Sequence, residues 1–206
     1  MEYKPIFQLT ALLSSWGSKA LNDLPCGYLV LPLPQLKFST AITVSAWARM
    51  GSTPNEKSTI LCLDSAGTDS APLSLSVSNT TRTLIVDVPG DFGGEQFGKK
   101  PPFTGYDPKF AHVALVWDPA NNESRLYLDG TLKALGVITD GAACAAGNLN
   151  DVSLIIGYSK YQKRRVNSWD GQIGDVRVYD RAFKNADIKA LYGVGAPPFA
   201  TPTAFA

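Results

Sequence analysis

The chain has 206 residues with 19 Lys and Arg against 18 Asp and Glu, a formal net charge of +1. That balance lacks the basic excess of a duplex nucleic-acid binder, and no apolar run reaches the roughly 18 residues of a membrane-spanning helix. Charged residues make up only 18%, while 18 Gly and 14 Pro favour strands and turns over solvated helices. In chain order, Ile42–Arg49 alternates strictly, with Ile42, Val44, Ala46 and Ala48 on one face and Thr43, Ser45, Trp47 and Arg49 on the other. Strands follow over Thr59–Leu63, Leu73–Val77 and Thr83–Val88, with turn residues at Asp64–Gly67 and Ser78–Thr80. Ala111–Trp117 is almost continuously apolar, as suits a strand buried on both faces. Asp118–Asn122 turns, and Arg125–Leu128 ends in Asp129-Gly130, a hairpin signal. Ser153–Ile156 and Gly174–Tyr179 are the last strands. Asn185–Tyr192 alone reads as helix, with Asn185 as its N-cap. The expected class is therefore all-β, a two-sheet antiparallel sandwich of jelly-roll type with one short C-terminal helix.

Several segments then resemble the laminin-G-like (concanavalin A-like) jelly-roll family. Gly27–Pro32 and Ile42–Arg49 look like its opening strands, and Phe110–Trp117 is similar to its W-x-H-V-A strand. Arg125–Gly130 resembles its L-Y-V-D-G hairpin. Leu154–Gly157 with Trp169–Phe183 matches its closing block, and Asp187–Tyr192 its short helix. Phe110 stands where Trp is commoner and Trp169 where Phe is usual; both swaps keep an apolar anchor. The resemblance divides the chain into an N-terminal segment 1–24, the jelly roll 25–192 and an uncharged Pro/Ala/Phe tail 193–206.

This fold carries lectins, adhesion modules, virion proteins and glycoside hydrolases alike, so function has to be sought in particular residues. A glycosidase needs two carboxyl groups flanking the scissile bond, and jelly-roll glucanases set theirs along one strand as E-x-D-x-x-E. No such run occurs, and the four Glu residues, Glu2, Glu56, Glu95 and Glu123, fall in terminal or loop contexts. Asp175, Arg177 and Tyr179 share a strand face and read as a structural pair. His112, the sole histidine, reads as a core residue with no triad pattern beside it. No catalytic residue is assigned, and the protein is expected not to be an enzyme.

Calcium is the cofactor that the resemblance raises, since related modules hold it with loop oxygens at the sandwich rim; Asp64 and Asp69 are the first candidates, and Asp/Asn turns the plain alternative. The segment 158–167 interleaves aromatics with cations and contributes the candidate ligand-binding residues Tyr158, Tyr161, Lys163, Arg164 and Arg165. The long Gly- and aromatic-rich connection with Phe92, Phe97 and Phe103, and the tail with Phe199 and Phe205, are the candidate interfaces with other subunits. Cys26, Cys62 and Cys144 show no zinc or redox spacing, and Cys62 in its apolar strand reads as a buried thiol. Met1–Ser15 lacks the apolar core and cleavage motif of a signal peptide, which points to synthesis in the cytosol, with a virion or particle surface, or the cell exterior, as the destination. The expectation is a recognition or adhesion module that binds a glycan or protein surface within a larger assembly. The alternatives are a structural decoration subunit of a phage or virus capsid and a glycoside hydrolase.

Overall fold

The computed structural model describes residues 4–10, 13–15, 28–37, 39–51, 57–65, 73–78, 80–87, 102–105, 109–137, 152–159 and 168–196. Twelve strands lie among them: β1 (Phe7–Leu9), β2 (Leu13–Ser15), β3 (Leu29–Pro32), β4 (Ile42–Met50), β5 (Lys57–Ser65), β6 (Leu73–Ser78), β7 (Thr83–Asp87), β8 (Ala111–Asp118), β9 (Glu123–Leu128), β10 (Thr131–Val137), β11 (Val152–Ile156) and β12 (Gly171–Tyr179). One α-helix, α1 (Asn185–Gly193), follows. The strands form two antiparallel sheets. The larger runs β1-β12-β4-β8-β9-β10 with β2 also paired to β12; the smaller runs β3-β11-β5-β6-β7. This is the jelly-roll sandwich expected of the sequence.

Alternation explains why the sheets stack. Val44, Ala46 and Ala48 of β4, Val113, Leu115 and Trp117 of β8, and Leu126 and Leu128 of β9 face Leu61 and Leu63 of β5, Leu73, Leu75 and Val77 of β6, and Leu154 and Ile156 of β11 in one core. Asp129 and Gly130 both take positive φ, +50° and +70°, so the Asp-Gly hairpin between β9 and β10 is of the primed kind whose twist matches its strands.

The outer face of the larger sheet is not solvated either, because α1 covers part of it. Ala114 and Val116 of β8, Tyr127 of β9 and Tyr179 of β12 pack with Phe183 and Ile188 into a second apolar cluster. Thr43 ties β4 to the segment entering the helix: its hydroxyl donates to the Arg181 carbonyl at 2.6 Å and accepts from the buried Phe183 N–H at 3.0 Å. Thr43→Val keeps the shape and strands that amide, so the urea midpoint should report a loss of about 2 kcal/mol.

Several boundaries differ from the sequence reading. The helix is capped by Lys184, whose N–H donates to the Asp187 carboxylate at 2.9 Å, and not by Asn185. Asn185 Oδ1 instead accepts from the Tyr127 hydroxyl at 2.7 Å, so its side chain is held by the sheet. The helix runs on through Gly193, into the segment read as tail. Asp64 and Ser65 stay in β5, in register with Ser153 and Val152 of β11, where a turn was expected.

Candidate functional site

Two outward faces and the rims between them are available for a ligand. On the larger sheet, the side of β12 not covered by α1 holds an ion pair. Arg177 meets both oxygens of the buried Asp175, Nε–Oδ1 at 2.9 Å and Nη2–Oδ2 at 2.8 Å, and the Gln8 amide donates to Oδ1 at 3.2 Å. Asp175 sits at φ +46°, in the β12 bulge that opposes β4 between Gly174 and Arg177. A carboxylate so fully engaged holds the sheet together and is poorly placed for proton transfer, in keeping with its reading as a structural pair. His112, on β8 across from Trp47, is buried under Trp47 and Tyr192, whose rings lie 5.2 and 6.0 Å from it. Burial pushes its pKa down to about 4.

On the smaller sheet, the side chains between the core-facing ones are polar: Thr59, Cys62, Ser74 and Ser76. Thr59 and Ser76 hydroxyls lie 3.2 Å apart, and Ser74 donates to Asp87 at 2.5 Å. All four are buried, so the centre of this face is closed to a solute.

Among the described residues, exposed aromatic surface lies at the edge of the smaller sheet, where β3 pairs with β11. Tyr28 and Val30 are each 42% exposed, and the Tyr28 ring lies 5.4 Å from that of Tyr158 at an angle of 44°. The backbone holds this pair in place. Gly157, at φ +82°, turns the chain out of β11 and donates its N–H to the Ile60 carbonyl at 2.9 Å. The Cys62 thiol donates to the Tyr158 carbonyl at 3.5 Å, and Trp169 N–H donates to the Gly157 carbonyl at 2.8 Å. Cys62 thus carries a buried thiol, as expected. Residues 157 and 169 are thus tied to each other beside the exposed Tyr28 and the half-buried Tyr158.

Of the residues singled out in the sequence, Tyr158 is placed at this rim. Tyr161, Lys163, Arg164 and Arg165 follow it in the chain and lie outside the described residues, as do Asp69, Phe92, Phe97, Phe199 and Phe205. Asp64 is a buried strand residue, and among the described residues no three His, Cys, Asp or Glu side chains come together as metal ligands. Asp64 is therefore the one calcium candidate that falls among the described residues, and it lies buried in β5.

Phe103 corrects an expectation. It is 3% exposed, not part of an interface, and packs edge-on to Trp169 at 6.0 Å. Its N–H donates to the Arg82 carbonyl at 2.9 Å, and a Cβ on Gly105 would fall 2.4 Å from its ring. It belongs to the main core between the sheets. Trp47, Trp117 and Tyr127 are buried, as expected of sheet packing. Tyr28, not singled out in the sequence, precedes an apolar strand, and only the sheet order shows that this strand is an edge beside which Tyr28 is exposed.

Comparison with known proteins follows this geometry. Among solved structures, the native heptameric SAP-like pentraxin of Limulus polyphemus matches with a TM-score of 0.64 at 15% identity, over 89% of this chain and 82% of that one. The CBM40 of Ruminococcus gnavus IT-sialidase, solved with alpha2,3 sialyllactose, matches at 0.60 and 17%, over 75% and 83%. A Trypanosoma rangeli sialidase matches at 0.58 and 20%, over 81% of this chain but only 26% of its own length. At such identities the likeness is one of fold. Comparison with curated protein sequences returns no match. The model of one family covers residues 26–189, through the strands and into the helix described above, and the chain belongs to that family, the concanavalin A-like lectin/glucanases superfamily.

Proposed function

We propose that this domain is a non-enzymatic recognition module that binds glycan at the β3–β11 rim. Tyr28 and Tyr158 form its platform, and Tyr161, Lys163, Arg164 and Arg165 add further contacts. The observation that carries the reading is the exposed Tyr28 ring set against the half-buried Tyr158 ring at the sheet edge, because a partly apolar ring with a polar tip suits the C–H face and hydroxyls of a sugar. Support by analogy comes from the CBM40 bound to sialyllactose, which shares the fold. The full engagement of Asp175 by Arg177 and Gln8 favours binding over hydrolysis. The similar proteins lend no support to display on a virion.

A glycan array probed with and without calcium tests the reading. Tyr28→Ala and Tyr158→Ala should each weaken the best ligand about tenfold, roughly 1.4 kcal/mol, with unchanged circular dichroism. No saccharide retained under either condition would overturn it.

A second reading, contact with protein in an assembly, is favoured by a separate strip. Leu132 and Leu135 on the edge strand β10 and Tyr192 and Val194 at the end of α1 are exposed apolar side chains on two elements that touch. Phe92, Phe97, Phe199 and Phe205 would extend such contacts. Leu135→Asp with Val194→Asp should lower the sedimentation coefficient of any oligomer to that of a monomer; an unchanged coefficient for an oligomer, or a monomeric parent chain, counts against it.

A further inference from the structure

Independently of what the β3–β11 rim binds, we propose that the last turn of α1 is an acid-released latch. At neutral pH Tyr192 closes over His112 and Trp47; a proton taken up by the imidazole lifts it and bares both rings. Tyr192 stacks on Trp47 at 5.7 Å and 25° and lies 6.0 Å from His112, while Trp47 lies 5.2 Å from His112. The β9–β10 hairpin makes room for this contact, because a Cβ on Gly130 would fall 2.9 Å from Tyr192 Cδ1 and 3.0 Å from its Cβ. Under that cover Trp47 is 6% and His112 2% exposed.

Little else among the described residues holds the turn down. Ile188 is the one buried side chain of α1, Leu191 is half-buried, and Lys189, Ala190, Gly193 and Val194 are exposed. A terminal turn with so few apolar contacts opens more readily than the sheet beneath it. Closed, it keeps water from the imidazole, whose Nδ1 has no hydrogen-bond partner among the described residues.

Charged groups approach the imidazole from several elements. β12 brings Asp175 and Arg177, which engage each other; the carboxylate attracts a proton to His112 and the guanidinium repels it. The β9–β10 turn brings Asp129, whose carboxylate accepts from the His112 backbone N–H and the Thr104 hydroxyl. On β4, Arg49 follows Trp47 by two residues, with its guanidinium over the Phe110 ring. α1 presents the Tyr192 ring. None of these groups solvates a charged imidazole as water would, and burial holds the His112 pKa at about 4 against 6.5. The closed form is therefore favoured in full above pH 6.5 and loses ground as the pH falls towards 4. With the uncovered imidazole at its ordinary pKa, going from pH 7.5 to 5 raises the opening constant by up to about 25-fold.

An NMR titration of the full chain from pH 7.5 to 4.5 follows the sole histidine, the Tyr192 ring and the Trp47 indole. The three sets of signals should move with one midpoint towards the values of exposed rings, while the backbone signals of β4 and β8 keep their dispersion. His112→Gln should hold Tyr192 in place across the range, and Tyr192→Phe should keep the latch. Tyr192→Ala should make the imidazole at least ten times more basic. An imidazole that titrates while Tyr192 and Trp47 stay put overturns the proposal, as does one that does not titrate at all. Movement of Tyr192 that persists in His112→Gln also overturns it. Loss of β4 and β8 dispersion at the same midpoint assigns the proton to global unfolding and removes the latch. If Tyr192→Ala does not fold, the parent chain, His112→Gln and Tyr192→Phe decide.

Discussion

Lowering the pH from 7 to 4 is expected to remove about 3 kcal/mol of stability through His112 alone. The imidazole lies between β4 and the end of α1, against Trp47 and Tyr192, and its Nδ1 has no hydrogen-bond partner among the described residues. Burial lowers its pKa from 6.5 to about 4, the nearby Asp175 pulls it upward, and Arg177 pushes it further down. Asp129 is also close, but its Oδ1 is engaged by the His112 backbone N–H at 2.9 Å. With the folded pKa below the unfolded one, the unfolded chain holds more protons between pH 4 and 6.5. The contribution is therefore complete above 6.5, falls as the pH drops through that window, and is gone below about 4. A difference of about 2.5 units corresponds to roughly 3 kcal/mol. Attraction of the cation to the flanking rings opposes this, but inclinations of 58° and 48° leave neither ring face-on. Urea midpoints for the parent chain and His112→Gln at pH 7, 5.5 and 4 make the comparison. The variant should be less stable at pH 7 and nearly equal at pH 4. Parallel pH profiles would mean that the imidazole is solvated or finds an acceptor.

The strands that the sequence makes plain are those whose two faces meet different surroundings or whose turns carry their own chemistry. β8 is apolar from Val113 to Trp117 because both its faces are covered, and the Asp-Gly turn announces its hairpin. β1 and β2 escape notice because each has three residues and owes its order to β12, more than 150 positions away. β10 escapes because the bulge between Leu132 and Ala134 breaks its alternation. Polar residues on β4 suggest a wet face, yet Thr43 is buried because it bonds the chain entering α1. The site was half legible. Aromatics interleaved with cations point to 158–167 from composition alone, and Tyr158 belongs to the rim. Tyr28 depends on sheet order and Phe103 on packing against Trp169, neither of which is written in the local sequence.

Gly171→Ala is expected to cost about 4 kcal/mol, a large part of the 5–15 kcal/mol that holds a typical domain. Gly171 opens β12 between β2 and β4, opposite Ser15 on one side and Met50 on the other. Its φ is +138°, where side chains are strained, and a Cβ would lie 2.1 Å from the Arg49 carbonyl oxygen and 2.8 Å from the Gly51 nitrogen. Both are backbone atoms, of β4 and of the residue just after it, so relief requires β4 and β12 to separate near the buried Trp169 and Phe103. Strain and overpacking together give the magnitude. Two other glycines separate the causes. Gly195, at φ +82° with nothing within 4 Å, should lose only about 1 kcal/mol on mutation to Ala, from backbone strain. Gly193, the last residue of α1, has open space and no positive φ, so Gly193→Ala should be neutral or stabilising by up to about 1 kcal/mol. Urea midpoints for the three variants should therefore fall in the order Gly193→Ala, Gly195→Ala, Gly171→Ala. If Gly171→Ala lies within 1 kcal/mol of the parent chain, the strand order around β12 is wrong, because no side-chain rearrangement can clear two backbone atoms.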